Sequence, residues 1–271
     1  MYEEWFGMLH TPFSRDIPAD QLYESPAIAD ALGRLSYAAD RQLFAVVTAD
    51  AGCGKSTLIR RFAETLPKDR YILLYLSDSK LTPRWFYKGL LDQLGLEAGF
   101  YRGDAKRQLQ REIEILRGVQ HKRVVCVLDE AHLLEKETLE EFRFLLNYRF
   151  DSMSPMALIL VGQTELWDEK LRLQRYAAIR QRIDICCVLP HLDRAETDLY
   201  IQSHLRYAGC EQNLFTERAE DEIFRLSTGI SRVINRICEK CLTYAYQQHK
   251  KLVDDHMVRY VNEHEMFSWK E

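Results

Sequence analysis

The run Ala49-Asp50-Ala51-Gly52-Cys53-Gly54-Lys55-Ser56-Thr57 limits what this chain can fold into more than any other stretch. Before it stands an apolar segment, Leu43-Phe44-Ala45-Val46-Val47; after it comes a helical pattern built on Leu58, Ile59, Phe62, Ala63 and Leu66. Strand, glycine loop and helix in that order are the context a phosphate-binding loop requires. Gly52 and Gly54 permit a tight turn that aims several backbone N–H groups at one point, where the helix N-terminus favours polyphosphate charge. Lys55 is spaced to reach β- and γ-phosphates, and the Ser56 hydroxyl to ligate Mg²⁺. The pattern ordinarily opens with Gly, whereas this chain has Ala49. That position falls at the strand end, where a small side chain is expected to fit.

The sequence outside this loop reads as alternating strands and helices. Tyr71–Leu76 is a second strand, and Thr82-Pro83 opens a helix that Gly95 stops. Val124–Leu128 and Met156–Val161 are continuous apolar runs, which marks strands buried on both sheet faces. Ile183–Leu189 is a fifth strand. Beyond Pro190 only helices are expected, near 194–208, 216–227, 230–248 and 254–263, with Asp193, Thr216 and Asp254 as caps. The expected fold class is α/β, a mostly parallel five-stranded sheet with both faces covered, followed by a small all-α domain. The domain division is 1–190, including an N-terminal arm and helix over 1–42, and 191–271. The aromatic arm over 1–25 either covers core or supplies part of a nucleobase pocket.

Charge and composition narrow the possible roles. A net charge of −4 excludes a protein coated in positive charge, so any nucleic-acid contact must be local. The densest positive stretch is Arg102 to Arg123, with seven basic and three acidic residues, either a solvated helix face or a phosphodiester contact. No apolar run approaches the roughly 20 residues that span a bilayer. The seven cysteines sit mostly inside apolar patterns, as in a reducing compartment, so a cytoplasmic location is expected. Cys238 and Cys241 fall on a helical apolar stripe and read as core.

Asp129-Glu130 follows the buried strand Val124–Leu128. Nucleotide hydrolysis needs one carboxylate beside Mg²⁺ and a second to orient and deprotonate the attacking water. Asp129 is assigned to the metal and Glu130 to the water. Adjacent residues on a strand point to opposite sides, which would separate the two roles. Asp129-Glu130-Ala131-His132 also occurs in a large helicase superfamily. Those helicases have a second nucleotide-fold domain, and here only the helical residues 191–271 follow.

Taken together, Phe6-Gly7-Met8, Thr11-Pro12-Phe13, the loop at 49–56, Asp129-Glu130-Ala131-His132, Leu160-Val161-Gly162-Gln163, Arg180-Gln181-Arg182-Ile183 and Gly229-Ile230-Ser231-Arg232 resemble the ExeA-like and TniB–TnsC-like group of AAA+ ATPases. That resemblance implies a P-loop NTPase fold with a helical lid, and ATP and Mg²⁺ as ligands. It makes Gln163 the first sensor of the γ-phosphate, with a strand-end turn residue as the alternative. It makes Arg182 or Arg180 the arginine finger offered to a neighbouring subunit, and Arg232 the second sensor, with Arg236 on the same helix face. The implied activity is an ATP-dependent switch that forms a homo-oligomeric ring or helical filament on double-stranded DNA and recruits a transposase. Lys80, Arg84, Arg102, Lys106, Arg107 and Arg111 would then meet DNA phosphates without sequence specificity. The alternative is a secretion-assembly ATPase with no DNA role. Relatives of that kind continue into a membrane span and a cell-wall-binding domain, and their lack before Glu271 favours the DNA-acting expectation.

Overall fold

The computed structural model describes residues 2–77, 81–146 and 154–266. In chain order they form α1 (Tyr2–Phe6), α2 (Pro26–Arg41), β1 (Phe44–Thr48), α3 (Lys55–Thr65), β2 (Tyr71–Leu76), α4 (Pro83–Gln93), α5 (Arg102–Gly118) and β3 (Arg123–Leu128). There follow α6 (Lys136–Leu146), β4 (Ala157–Gly162), α7 (Ala177–Arg180), β5 (Ile185–Val188), α8 (Arg194–Tyr207), α9 (Glu217–Ser227), α10 (Ser231–Gln247) and α11 (Asp255–His264). They divide into two compact units: Ala27–Ala51 with Lys55–Leu189, and Met1–Pro26 with Gly52–Gly54 and Pro190–Glu271.

The first unit is built on an all-parallel sheet of order β2-β3-β4-β1-β5. Parallel strands need long crossovers, and helices supply them. Alternate side chains Phe44 and Val46, Val124, Cys126 and Leu128, and Leu158 and Leu160 share one core with Phe86 and Leu90 of α4 and Leu109 and Ile113 of α5. The intervening Ala45, Val47, Val125, Val127, Ile159 and Val161 are also fully buried, which is why β1, β3 and β4 read as unbroken apolar runs. β5 is shorter than its apolar run suggested and lies at the sheet edge, where Cys186 and Val188 face solvent. Two helices, α4 and α5, separate β2 from β3. Thr82 caps α4 by accepting from the Trp85 N–H. Gly95 ends it in the left-handed region at φ +76°, with the Leu96 N–H returning to the Leu91 carbonyl.

The second unit packs α8 to α11 around Ile201, Leu205, Ile223, Ile234, Ile237 and Val258. Asp193 forms a reciprocal capping box with Glu196, and Thr216 and Asp254 accept from the third residues of their helices. Cys238 and Cys241 are fully buried on the inner face of α10, and burial raises both thiols. Residues up to Pro26 group with this unit. The reason is aromatic packing. Tyr2, Met8 and Phe13 join the core of this unit, the Leu9 N–H donates to the Ala208 carbonyl at 2.7 Å, and the Trp5 indole donates to the Lys250 carbonyl.

The arm is fastened most deeply at His204. Phe13, held at φ +59°, stacks its ring on the imidazole at 5.0 Å and donates its N–H to Nδ1 at 3.2 Å. Burial pushes the His204 pKa down to about 4 from an ordinary value near 6.5. The unfolded chain therefore binds the proton first. The stabilisation is complete above about pH 6.5 and is lost as pH falls toward 4. Glu220, whose carboxyl burial pushes up, contributes in the opposite sense, so the His204 part must be read as a difference. In denaturant titrations the advantage of wild type over His204→Phe should shrink by roughly 2 kcal/mol between about pH 7.5 and about pH 5. An advantage independent of pH would contradict this assignment.

Candidate functional site

The chain leaves β1 at Thr48, which pairs with Gly162 of β4, and the Ala49 N–H extends the ladder to the Gly162 carbonyl. Ala49 is fully buried and is not among the residues with positive φ, so this position makes no demand for glycine. The demand falls on Gly52 at φ +89° and Gly54 at φ +86°. A Cβ on Gly52 would also stand 2.8 Å from Arg232 Cβ. Helix α3 starts at Lys55, and its first N–H groups have no acceptor within the helix. Ser56 is exposed, Thr57 half-buried, Ala51 exposed and Cys53 buried. The Lys55 ammonium donates to the carbonyls of Ala49 at 2.8 Å and Asp50 at 3.0 Å, while the Asp50 carboxylate accepts from the Thr164 hydroxyl at 3.0 Å. A turn of left-handed glycines, a helix start and a lysine suit a polyphosphate.

The acidic pair stands two strands away. The Asp129 N–H continues the ladder to Leu76 O, beyond the last residue of β3. Asp129 is buried and accepts twice, from the Tyr75 hydroxyl at 2.7 Å and from the Glu130 N–H at 2.8 Å. Burial first, and then Asp129 itself, raise the Tyr75 phenol well above its ordinary range, so Tyr75 remains a donor. Glu130 takes the left-handed conformation at φ +52°, and its side chain is 44% exposed. The two carboxylates are thus separated by a backbone reversal past the strand end and not by strand alternation as expected. Asp129 and Ser56 are of the hard-oxygen type that suits Mg²⁺.

Between β3 and β4 lies a contact that was not expected from the sequence. The short 3-10 helix Ala131–Leu133 places His132 against Gln163, just past β4. The Gln163 N–H donates to His132 Nδ1 at 3.4 Å, and its side-chain amide nitrogen lies 3.0 Å from His132 Nε2. The Glu130 carboxylate is 3.7 Å from Nδ1. Gly162 favours this approach, because a Cβ there would sit 3.1 Å from the main-chain nitrogen of His132, closer than ordinary contact. Neither Tyr75 nor His132 carries a sequence signal for its role. Each depends on strand adjacency, which spacing along the chain does not encode.

The remaining candidates are distributed differently. Arg180 donates to the carbonyls of Leu171 at 2.9 Å and Arg172 at 2.6 Å and is fastened within its own chain; Arg182 is half-buried. Arg232 is the second residue of α10 and exposed, and its N–H donates to the Gly52 carbonyl at 3.2 Å. Of the basic face, Arg102 pairs with Glu137, Lys106 with buried Glu141 at 2.6 Å and Arg107 with Asp104 at 2.6 Å. Arg84 lies over the Phe100 ring, and Arg111 is exposed on α5. Lys80 is outside the described residues.

Comparison with known proteins bears on the whole chain. Residues 38–169 match the family model "AAA domain". General secretion pathway protein A of Aeromonas hydrophila is 33% identical over 251 residues, which is 91% of this chain but only 45% of that protein. The chain therefore spans about half the length of this curated relative. Cdc6p of Pyrobaculum aerophilum superposes with a TM-score of 0.69 at 16% identity, over 94% of this chain and 70% of that one. The Aeropyrum pernix ORC1 protein, solved in complex with DNA, gives 0.64 at 14% identity, over 91% and 67%. At those identities the solved structures speak to fold alone. Residues 38–169 are thus similar to an AAA domain, and the described residues share with these solved structures an α/β fold built on a five-stranded parallel sheet.

Proposed function

We propose that this chain is an ATP-hydrolysing AAA+ switch that assembles with copies of itself. One observation carries the reading. The glycine loop with Lys55, the buried Asp129 and the polar Gln163 all stand at the carboxyl ends of three adjacent parallel strands, β1, β3 and β4. In open α/β sheets that edge is where ligands bind.

In this reading the N–H groups at the start of α3 and the Lys55 ammonium hold the β- and γ-phosphates. Ser56 and Asp129 would hold Mg²⁺, which would supply positive charge to the bound nucleotide. Tyr75 and the Glu130 N–H hold the Asp129 carboxylate in place for that task. Glu130, projecting into solvent, orients a water and takes its proton as it attacks. Gln163 donates to the γ-phosphate. Arg182 of a neighbouring copy neutralises charge in the transition state, a contribution of about 10³–10⁵ in rate where such a residue acts in trans. Arg232 serves as the second sensor.

The identity to General secretion pathway protein A over 91% of the chain supports a role for the switch in secretion assembly. The second reading, assembly on duplex DNA with a transposase as partner, is supported by the motif resemblance to transposition ATPases and by exposed Arg84 and Arg111. Intramolecular pairing of Arg102, Lys106 and Arg107 lowers the charge left for phosphates.

Lys55→Ala should abolish ATP binding, and Glu130→Gln should bind ATP normally while turnover falls by at least about a hundredfold. Undiminished hydrolysis by Glu130→Gln in a steady-state assay would remove that carboxylate from the mechanism. The two settings are separated by gel retardation of duplex DNA at low and raised salt. Retention that weakens with salt and with Arg107→Ala/Arg111→Ala supports the DNA reading. No retention at low salt leaves the secretion-assembly reading.

A further inference from the structure

His132 is a half-buried imidazole beside the proposed nucleotide site, and nothing in the mechanism above uses it. Its surroundings fix more than its position. A backbone N–H can only donate, so the Gln163 N–H pointing at His132 Nδ1 makes that nitrogen an acceptor. A neutral imidazole has one acceptor and one donor, and the proton must therefore sit on Nε2. A proton on Nδ1 would set two N–H groups against each other, and the Glu130 carboxylate, 3.7 Å away, is too distant to repay this with a hydrogen bond.

The consequence passes to the Gln163 side chain. Its amide nitrogen is placed 3.0 Å from Nε2, which sets donor against donor once Nε2 carries the proton, because an Nε2–H requires an acceptor. Of the two ends of the amide only the oxygen accepts, so a half-turn of the amide that exchanges its ends brings the oxygen to the ring and turns the NH2 away. A phosphate oxygen accepts and never donates. Of the two orientations of the amide, this is the one that can bind a γ-phosphate.

We propose that His132 is a positioning residue that holds the Gln163 amide with its NH2 presented as a donor to the nucleotide. This rests on the reading of Gln163 as the γ-phosphate sensor. It gives the fourth residue of Asp129-Glu130-Ala131-His132 a task distinct from the two carboxylates. Through one imidazole, the segment after β3 sets the hydrogen-bonding polarity of the residue after β4.

The test begins with the tautomer, read by long-range ¹H–¹⁵N NMR on the full ¹⁵N-labelled chain without nucleotide. His132 signals are assigned by their loss in His132→Gln. The expected result is a neutral ring protonated at Nε2; a ring protonated at Nδ1 would overturn the proposal. In steady-state assays His132→Leu should lower the turnover number by about 10–100-fold, the worth of a hydrogen bond to a charged group, with ATP affinity changed less than about threefold. His132→Gln, which keeps an N–H donor on a side chain of similar reach, should recover most of that loss. His132→Leu/Gln163→Leu should be no slower than Gln163→Leu alone, because the two act as a unit. Losses that simply multiply, or full turnover in His132→Leu, would refute the coupling. A wild-type chain without ATPase activity would count against the functional reading instead, and the tautomer would still be measured.

Discussion

Parallel pairing of β1 with β4, and of β4 with β3, is the constraint on which the rest of the site depends. With Thr48 opposite Gly162 and Leu128 opposite Leu160, three chain segments leave the sheet at one edge within a residue or two of each other. A one-residue slip in either pair would turn every buried side chain to the wrong face, so burial on both faces holds the register firmly. The chemistry at the edge inherits that precision. Ala49, Asp129 and Gln163 are placed by strands whose interiors are fully buried, and only their exits are polar.

The exits are then locked by local backbone rules. Gly52 and Gly54 adopt conformations that side chains resist, and Glu130 adopts one without being glycine, at a cost of about 1–2 kcal/mol. The hydrogen bond from the Glu130 N–H onto Asp129 offsets part of that cost, and the Tyr75 hydroxyl holds the same carboxylate from the neighbouring strand. One carboxylate is buried and accepts from two donors, whereas its neighbour is exposed. The reversal after β3 thereby gives two adjacent carboxylates different environments.

Much of this was legible in the sequence. Continuous apolar runs marked β3 and β4 because a strand covered on both faces needs no polar alternation, and Asp193, Thr216 and Asp254 marked helix starts through chemistry local to each turn. What depended on neighbours distant in the chain was not legible. The run at Ile183–Leu189 gave no sign that β5 is an edge strand, since its cysteines and valine look the same buried or exposed. The aromatic arm did not declare that it packs with α8 and α10 until Phe13 was seen stacked on His204. The basic stretch looked like free positive charge, but Glu137 and Glu141 of α6 lie against it. Tyr75 and His132 needed the strand order itself.

The central claim is that the strand-end turn with Lys55 and the carboxylate of Asp129 grip one triphosphate and its magnesium. A crystal structure with a non-hydrolysable ATP analogue and Mg²⁺ tests it most directly. The account predicts the triphosphate along the backbone of residues 52–56, the Lys55 ammonium moved from the Ala49 and Asp50 carbonyls to the β- and γ-phosphates, and the metal between Ser56 and Asp129. An analogue bound elsewhere, with Lys55 still on those two carbonyls, would contradict it.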